Sequence, residues 1–250
     1  MPRTLWLVLI GLLLSLVTVG CRQQQSAWDA MVTFDQAYIP ALAFTSQLQG
    51  DGARAVMPRV KARWQTLQER VPAEWTRQEG WRQVTASITG RLQRADALIA
   101  EGHLTEAHEE LEGVRELLMT QRSTHDIDYF VDRLTAYHEP MEAIVLVAKG
   151  KSPVTLTDEN VAVIRRHLQE AHTRWTLIEP ARVDAQRYQL TDDKAAALHA
   201  GIIKESAALK ALQTALESGD RQRIIQTAAA IKPPFAQLFM LFGDFSLSGR

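Results

Sequence analysis

Residues 81–118 read WRQVTASITGRLQRADALIAEGHLTEAHEELEGVRELL, and this stretch decides the fold. Two runs of good helix formers flank Gly102. Apolar residues recur every three or four positions in the first run, at Val84, Ile88, Leu92, Ala95 and Ile99. They do so again in the second run, at Leu104, Ala107, Leu111, Val114 and Leu118. This spacing lines one face of a helix, and glycine is the usual residue just past a helix end. The stretch therefore predicts two antiparallel helices joined by a tight turn.

The same pattern extends in both directions along the chain. Upstream it predicts helices over about 27–47, stopped by Gly50-Asp51-Gly52, and over about 54–70. Downstream it predicts helices over about 126–149, 157–178 and 191–217, and another from about 220. Sustained alternation of apolar and polar residues, the signature of strands, is nearly absent. The chain is therefore predicted to be all-α.

Short similarities between the two halves suggest a repeat of four helices. Residues 38–41 and 138–141 both place a proline inside a helical pattern, 100 positions apart. Residues 63–67 resemble 174–177, and 100–103 resemble 217–220, at offsets of 111 and 117. We therefore expect two tandem four-helix bundle units, over 27–122 and 126–245. A solenoid of helix pairs is the alternative, although no period near 34 residues recurs. Another alternative is that the short similarities arose by chance, because the sequences of helical bundles resemble one another.

The start of the chain has the layout of a secretory signal peptide. Arg3 supplies a positive charge, an apolar run of about 15 residues follows from Leu5 to Val19, and the small residue Gly20 precedes Cys21. The run is short for the roughly 20 residues of a membrane-spanning helix. We therefore expect residues 1–20 to be cleaved as a signal peptide.

The stretch Val17-Thr18-Val19-Gly20-Cys21 resembles the lipobox of bacterial lipoproteins. The resemblance implies that Cys21 carries fatty acids and becomes the new N-terminus, followed by a tether over 21–26. It also implies the outer membrane, because Arg22 stands where Asp would favour retention in the inner membrane. Cys21 is the only cysteine, so no internal disulfide forms. The alternative is a free buried thiol within an uncleaved anchor.

Composition and motifs argue against two broad classes of function. Lys and Arg number 28 against 29 Asp and Glu, so the strong basic bias of nucleic-acid binders is missing. The sequence has no G-x-S-x-G, no P-loop and no H-E-x-x-H. We therefore expect no catalytic activity and no nucleic-acid partner. The expected function is that of a lipid-anchored binding or scaffold protein, facing the periplasm and meeting an envelope protein partner.

Two His/Glu pairs raise an alternative, a metal-binding protein of the cell envelope. His108 and Glu112 are four residues apart on one predicted helix, and His138 and Glu142 are four apart on the next. Residues at this spacing share a helix face, and bundles build metal sites from facing side chains. The four residues could bind one transition metal ion, or a b-type haem could occupy the bundle. Ordinary surface charge explains the same pairs, and then no cofactor is needed.

The C-terminal stretch from Ile231 to Phe245 holds four of the seven phenylalanines. Pro233 and Pro234 lack N–H donors and should kink or restart the last helix. Beyond them the apolar residues cover nearly the whole helix circumference. Such a segment is either buried or docks on something else. Docking on a partner or on the membrane surface would use Phe235, Phe239, Phe242 and Phe245, whereas burial would pack them against the three preceding helices or in the gap between the two units.

Overall fold

A computed structural model describes the backbone of residues 3–246 and the side chains of residues 25–246. All regular elements in this range are helices, and no strand occurs in it. The first five are α1 (Arg3–Ser46), α2 (Gly50–Arg70), α3 (Ala73–Thr76), α4 (Glu79–Glu101) and α5 (Leu104–Thr124). The others are α6 (Phe130–Ala148), α7 (Asp158–Trp175), α8 (Asp192–Ser218), α9 (Arg221–Ala230) and α10 (Lys232–Met240). The predicted all-α class is confirmed. Among the described residues, no helix has both the length and the apolar character needed to span a bilayer.

The chain forms two compact units. Unit 1 comprises the chain up to Leu117 together with the segment from Asp244, and unit 2 comprises Leu118–Gly243. The division therefore falls inside α5, and the C-terminal segment returns to unit 1 instead of ending unit 2. The Asp244 backbone N–H donates to the Gln36 carbonyl at 2.8 Å, and the Phe245 ring packs edge-on against Phe44. These contacts with α1 hold the segment in unit 1.

Unit 1 is a bundle of four long helices. α1 packs against α2, and α2 packs against α4. Arg91 and Arg94 of α4 both donate to Glu110 of α5, at 2.9 Å. The Tyr38 hydroxyl of α1 donates to the Leu111 carbonyl of α5. The four helices therefore close into a ring in the order α1, α2, α4 and α5.

Unit 2 has the same plan. α6 packs against α7 and α9, α7 against α8, and α8 against α9, while α10 lies on α6, α8 and α9. Pro233 and Pro234 stand in the first turn of α10, which confirms the predicted restart of the last helix. The residues that the apolar pattern places in the core are buried, at Phe130, Leu134, Trp175, Leu198, Ile202, Leu209 and Ile231.

One hydrogen bond from a tryptophan recurs in both units. The Trp64 Nε1–H of α2 donates to the Thr89 hydroxyl of α4 at 2.9 Å. The Trp175 Nε1–H of α7 donates to the Ser206 hydroxyl of α8 at 2.8 Å. The tryptophans are 111 positions apart and their acceptors 117 positions apart, the offsets found in the sequence.

An arginine contact recurs at the same two offsets. Arg54 of α2 donates to the Ile99 carbonyl near the end of α4, at 3.2 Å. Arg165 of α7 donates to the Leu216 carbonyl near the end of α8, also at 3.2 Å. Helices lack internal partners for their last carbonyls, so both arginines satisfy the same kind of helix terminus.

The helices end as the sequence predicts at some places and differently at others. Gly102 and Gly219 cap α4 and α8 in the left-handed conformation, with φ of 86° and 72°. The predicted stop at residues 50–52 differs, because α2 already begins at Gly50 and Leu48 makes the turn with φ of 57°. Gly52 has another role: a Cβ there would lie 2.8 Å from the Phe44 ring. Its missing side chain lets α2 approach α1.

Candidate functional site

His108 and Glu112 lie in unit 1 and belong to a polar network between α1 and α5. The Nδ1 of His108 hydrogen-bonds the Thr45 hydroxyl at 3.1 Å, and its Nε2 lies 3.4 Å from Glu112 Oε1. Glu112 also accepts from Arg115, whose side chain is nearly buried. Both members of this pair are therefore engaged with protein groups.

His138 and Glu142 lie in unit 2. Glu142 accepts from the Lys232 ammonium at 2.9 Å, and the His138 ring packs 5.5 Å from that of Phe235. Within the described range, no group of three or more His, Cys, Asp or Glu residues could hold a metal ion. The four-ligand site that the sequence suggested is therefore not found there. The two His/Glu pairs have the same spacing along their helices, but their side chains already contact other groups of the protein.

The phenylalanines of the C-terminal stretch pack within their own units. Phe235, Phe239 and Phe242 are at most 7% exposed in unit 2. Phe242 contacts the Phe130 ring at 5.8 Å, whereas Phe245 belongs to unit 1. Phe235, Phe239 and Phe242 thus follow the burial alternative, because α10 lies along α6, α8 and α9, whereas Phe245 is half-buried.

Cys21 lies outside the residues whose side chains the structure describes. Its lipidation stays a prediction from the sequence.

A buried polar cluster in unit 1 has no counterpart among the sequence predictions. Asp35, Tyr38 and Arg115 are at most 5% exposed. Burial raises the pKa of the Tyr38 hydroxyl well above its usual value, with Arg115 opposing and Glu112 and Asp35 adding to the rise. Tyr38 therefore stays a neutral hydrogen-bond donor in the physiological range. The cluster could not be predicted from the sequence, because its members lie on two helices that are far apart along the chain.

Unit 2 contains an open groove of about 220 Å³ between the end of α5, the start of α6 and the end of α7. Its lining combines apolar residues, among them Met119 and Ala136, with charged ones. Leu177 is 57% exposed at its edge. The exposed Arg174 guanidinium makes no ion pair or hydrogen bond with a described residue, in contrast to Arg133, which donates to Asp128.

A buried ion pair holds the inner wall of the groove. Arg122 donates twice to Asp132, at 2.8 and 2.5 Å, and both side chains are almost covered. The Arg122 guanidinium also lies 4.4 Å from the centre of the Tyr129 ring. Two parallel hydrogen bonds and a cation–π contact fix these groups rigidly. The groove therefore has a preformed wall and a free cation at its rim.

A second buried polar pair lies deeper in unit 2. The Tyr137 hydroxyl of α6 donates to Glu205 Oε1 of α8, and Glu205 is fully buried. Burial raises the pKa of Glu205 to about 7, with the Tyr137 hydrogen bond and the nearby Phe235 backbone N–H acting in the opposite direction. The sequence shows two glutamates in this helix, Glu205 and Glu217, and only the spacing of Glu205 from Ile202 and Leu209, three and four residues, places it on the buried face.

Comparison with known proteins yields no matching family model, no matching curated protein and no matching solved structure.

Proposed function

We propose that the protein is a lipid-anchored, non-catalytic binding protein that faces the periplasm from the outer membrane. The resemblance of residues 17–21 to a lipobox supports the anchor, with Arg22 as the residue behind the membrane assignment. The repeated hydrogen bonds of the two units support an origin by internal duplication. A duplicated helical bundle carried by a lipid is suited to present a surface to another envelope protein.

The observation that carries the binding role is the groove of unit 2. It is smaller than the 300–1,000 Å³ of typical small-molecule pockets and open to solvent. Its rim places the free Arg174 guanidinium close to the exposed Leu177 side chain. This combination suits a short protein segment that carries an acidic side chain beside an apolar one, because the cation can pair with the acid while the apolar side chain covers Leu177.

A photo-crosslinking amino acid at residue 177 tests this assignment in cells that make the full chain. Ile203 and Leu146 are matched control positions, because each is also 57% exposed in unit 2 but lies outside the groove lining. We expect a discrete protein adduct from position 177 and not from the controls. Arg174→Glu should weaken that adduct severalfold by reversing the charge at the rim.

Equal adducts from all three positions, or none from position 177, would contradict a partner site in the groove. The anchor is tested separately. Cys21→Ser should prevent incorporation of labelled fatty acid and leave residues 1–20 uncleaved, which the size of the chain on a gel reports. A labelled Ser variant, or an unlabelled wild type, would refute the lipoprotein assignment.

A further inference from the structure

Glu205 occupies a position that costs free energy to keep. It is fully buried in α8, and its second oxygen, Oε2, is buried without a hydrogen-bond partner in the described part of the chain. An ionised carboxylate in such surroundings loses its hydration with only partial replacement. A group retained at this cost is a candidate for a role beyond packing.

The corresponding position of unit 1 shows that the fold does not need this carboxyl. Ile88 of α4 lies 117 positions before Glu205, at the offset shared by the hydrogen-bonded Thr89 and Ser206, and is fully buried. A plain apolar side chain therefore fills the equivalent place in the other bundle. The polar pair is a feature that unit 2 has in addition.

The carboxyl lies under the start of α10. Aromatic rings surround its partner: Tyr137 is 4.7 Å from the Trp175 ring and 5.5 Å from that of Phe235. Phe235 follows Pro233 and Pro234, which have no N–H, and its own backbone N–H lowers the pKa of the carboxyl. α10 has only nine residues, which makes it the shortest helix over the site.

Among ionisable groups, Tyr137 is the one that acts on the Glu205 pKa. Charged groups on the helices around it have other partners or lie in solvent. Lys232 of α10 pairs with Glu142 of α6, and Arg221 of α9 pairs with Asp158 of α7. Burial lowers the pKa of His172 on α7, and Glu179 opposes this shift. The His138 ring of α6 packs on Phe235. The remaining charges of α8 and α9 near this level are exposed, at Lys204, Lys210, Glu217 and Arg223.

We propose that Glu205 is a proton-controlled latch for α10. The neutral carboxyl stays enclosed with Tyr137 and leaves α10 packed on α8. Loss of the proton creates a buried negative charge that the Tyr137 hydroxyl and the Phe235 N–H together do not balance, so the charge is relieved when α10 loosens and admits water. Because the carboxyl binds its proton more tightly in the folded state than in the unfolded chain, the docked state is favoured at acidic pH. This preference is lost as the pH rises through about 7.

Hydrogen exchange of the full chain in mild detergent tests the latch. Rates are measured at pH 5.5 and 8.5 and corrected for the intrinsic pH dependence of exchange. We expect protection of the α10 amides to fall at least tenfold at the higher pH, while that of the α2 amides in unit 1 changes little. Glu205→Gln should remove this dependence, because the amide cannot ionise. Glu217→Gln, an exposed change on the same helix, should keep it.

If Glu205→Gln does not fold, Glu205→Ile replaces it, since isoleucine occupies the equivalent place in unit 1. Unchanged α10 protection in the wild type across this pH range would overturn the proposal. A pH dependence that persists in a folded Glu205 variant would overturn it as well.

Discussion

Replacement of Leu209 by alanine tests the two-unit architecture quantitatively. Leu209 is fully buried in α8, and its counterpart in unit 1 is Leu92, 117 positions earlier and 2% exposed. Truncating a buried leucine removes its transfer free energy and leaves a cavity, which together cost about 2–5 kcal/mol. Each 1.4 kcal/mol is a factor of ten in an opening equilibrium, so amide protection should fall roughly 30-fold to several thousand-fold.

The decisive feature is where protection is lost. Hydrogen exchange on the full chain should show the loss for Leu209→Ala in the core amides of α6 to α9, with α1 and α2 nearly unchanged. Leu92→Ala should give the reverse distribution, because its side chain packs in unit 1. An equal loss in both units for either variant would refute two separately cooperative bundles. A loss below about threefold would refute the assigned packing of the leucine.

Three smaller changes test individual interactions through denaturant unfolding of the full chain. Trp175→Phe deletes the donor to Ser206 and should lower the free energy of unfolding by about 1 kcal/mol; no loss would mean that the bond contributes nothing. Gly219→Ala should also cost about 1 kcal/mol, since φ is 72° and nothing lies within 4 Å of the new Cβ; a neutral effect would contradict the left-handed cap. The hydrogen bond with Ser246 and the Arg59 guanidinium lower the pKa of Asp244 to about 2. Its stabilising effect is therefore present above about pH 4 and disappears as the pH falls towards 2. Asp244→Asn should destabilise unit 1 near neutral pH by no more than about 1 kcal/mol, as for other surface pairs, and an equal effect at pH 2 would argue against the ionised carboxylate.

The helices could be predicted from the sequence because their signals are local. Apolar residues at spacings of three and four identify the buried faces, and glycine marks the ends of α4 and α8. Pro233 and Pro234 break the last helix for a reason contained in the residues themselves. The predicted helix stop at Gly52 is wrong, because this glycine lies within α2 and makes room there for the Phe44 ring of α1. Contacts between two helices cannot be predicted from local sequence patterns.

The side chains of the candidate sites could be predicted less well because their partners are distant in sequence. The spacing of His108 and Glu112 correctly places them together, but it cannot show that Arg115 and Thr45 already bind them. The groove depends on the angle between neighbouring helices and on which arginine lacks a partner. Arg133 and Arg174 look alike in the sequence, and only the structure shows that Asp128 binds the first.

The two units provide a comparison within one chain that separates architecture from specialisation. Where both units keep the same interaction, as Trp64 and Trp175 do, the fold itself explains the residue. Where a buried polar group in one unit replaces an apolar residue in the other, packing does not explain it, because the apolar version also folds. Glu205, whose equivalent in unit 1 is Ile88, meets this condition most clearly. Burying a carboxyl costs more free energy than burying an isoleucine. Exchanging the two residues should therefore remove the pH response from unit 2 without changing the fold of either bundle. A chain with Ile88→Glu and Glu205→Ile should lose the pH dependence of α10 protection. It should not gain an equal response in unit 1, where Ala37 occupies the position that corresponds to Tyr137.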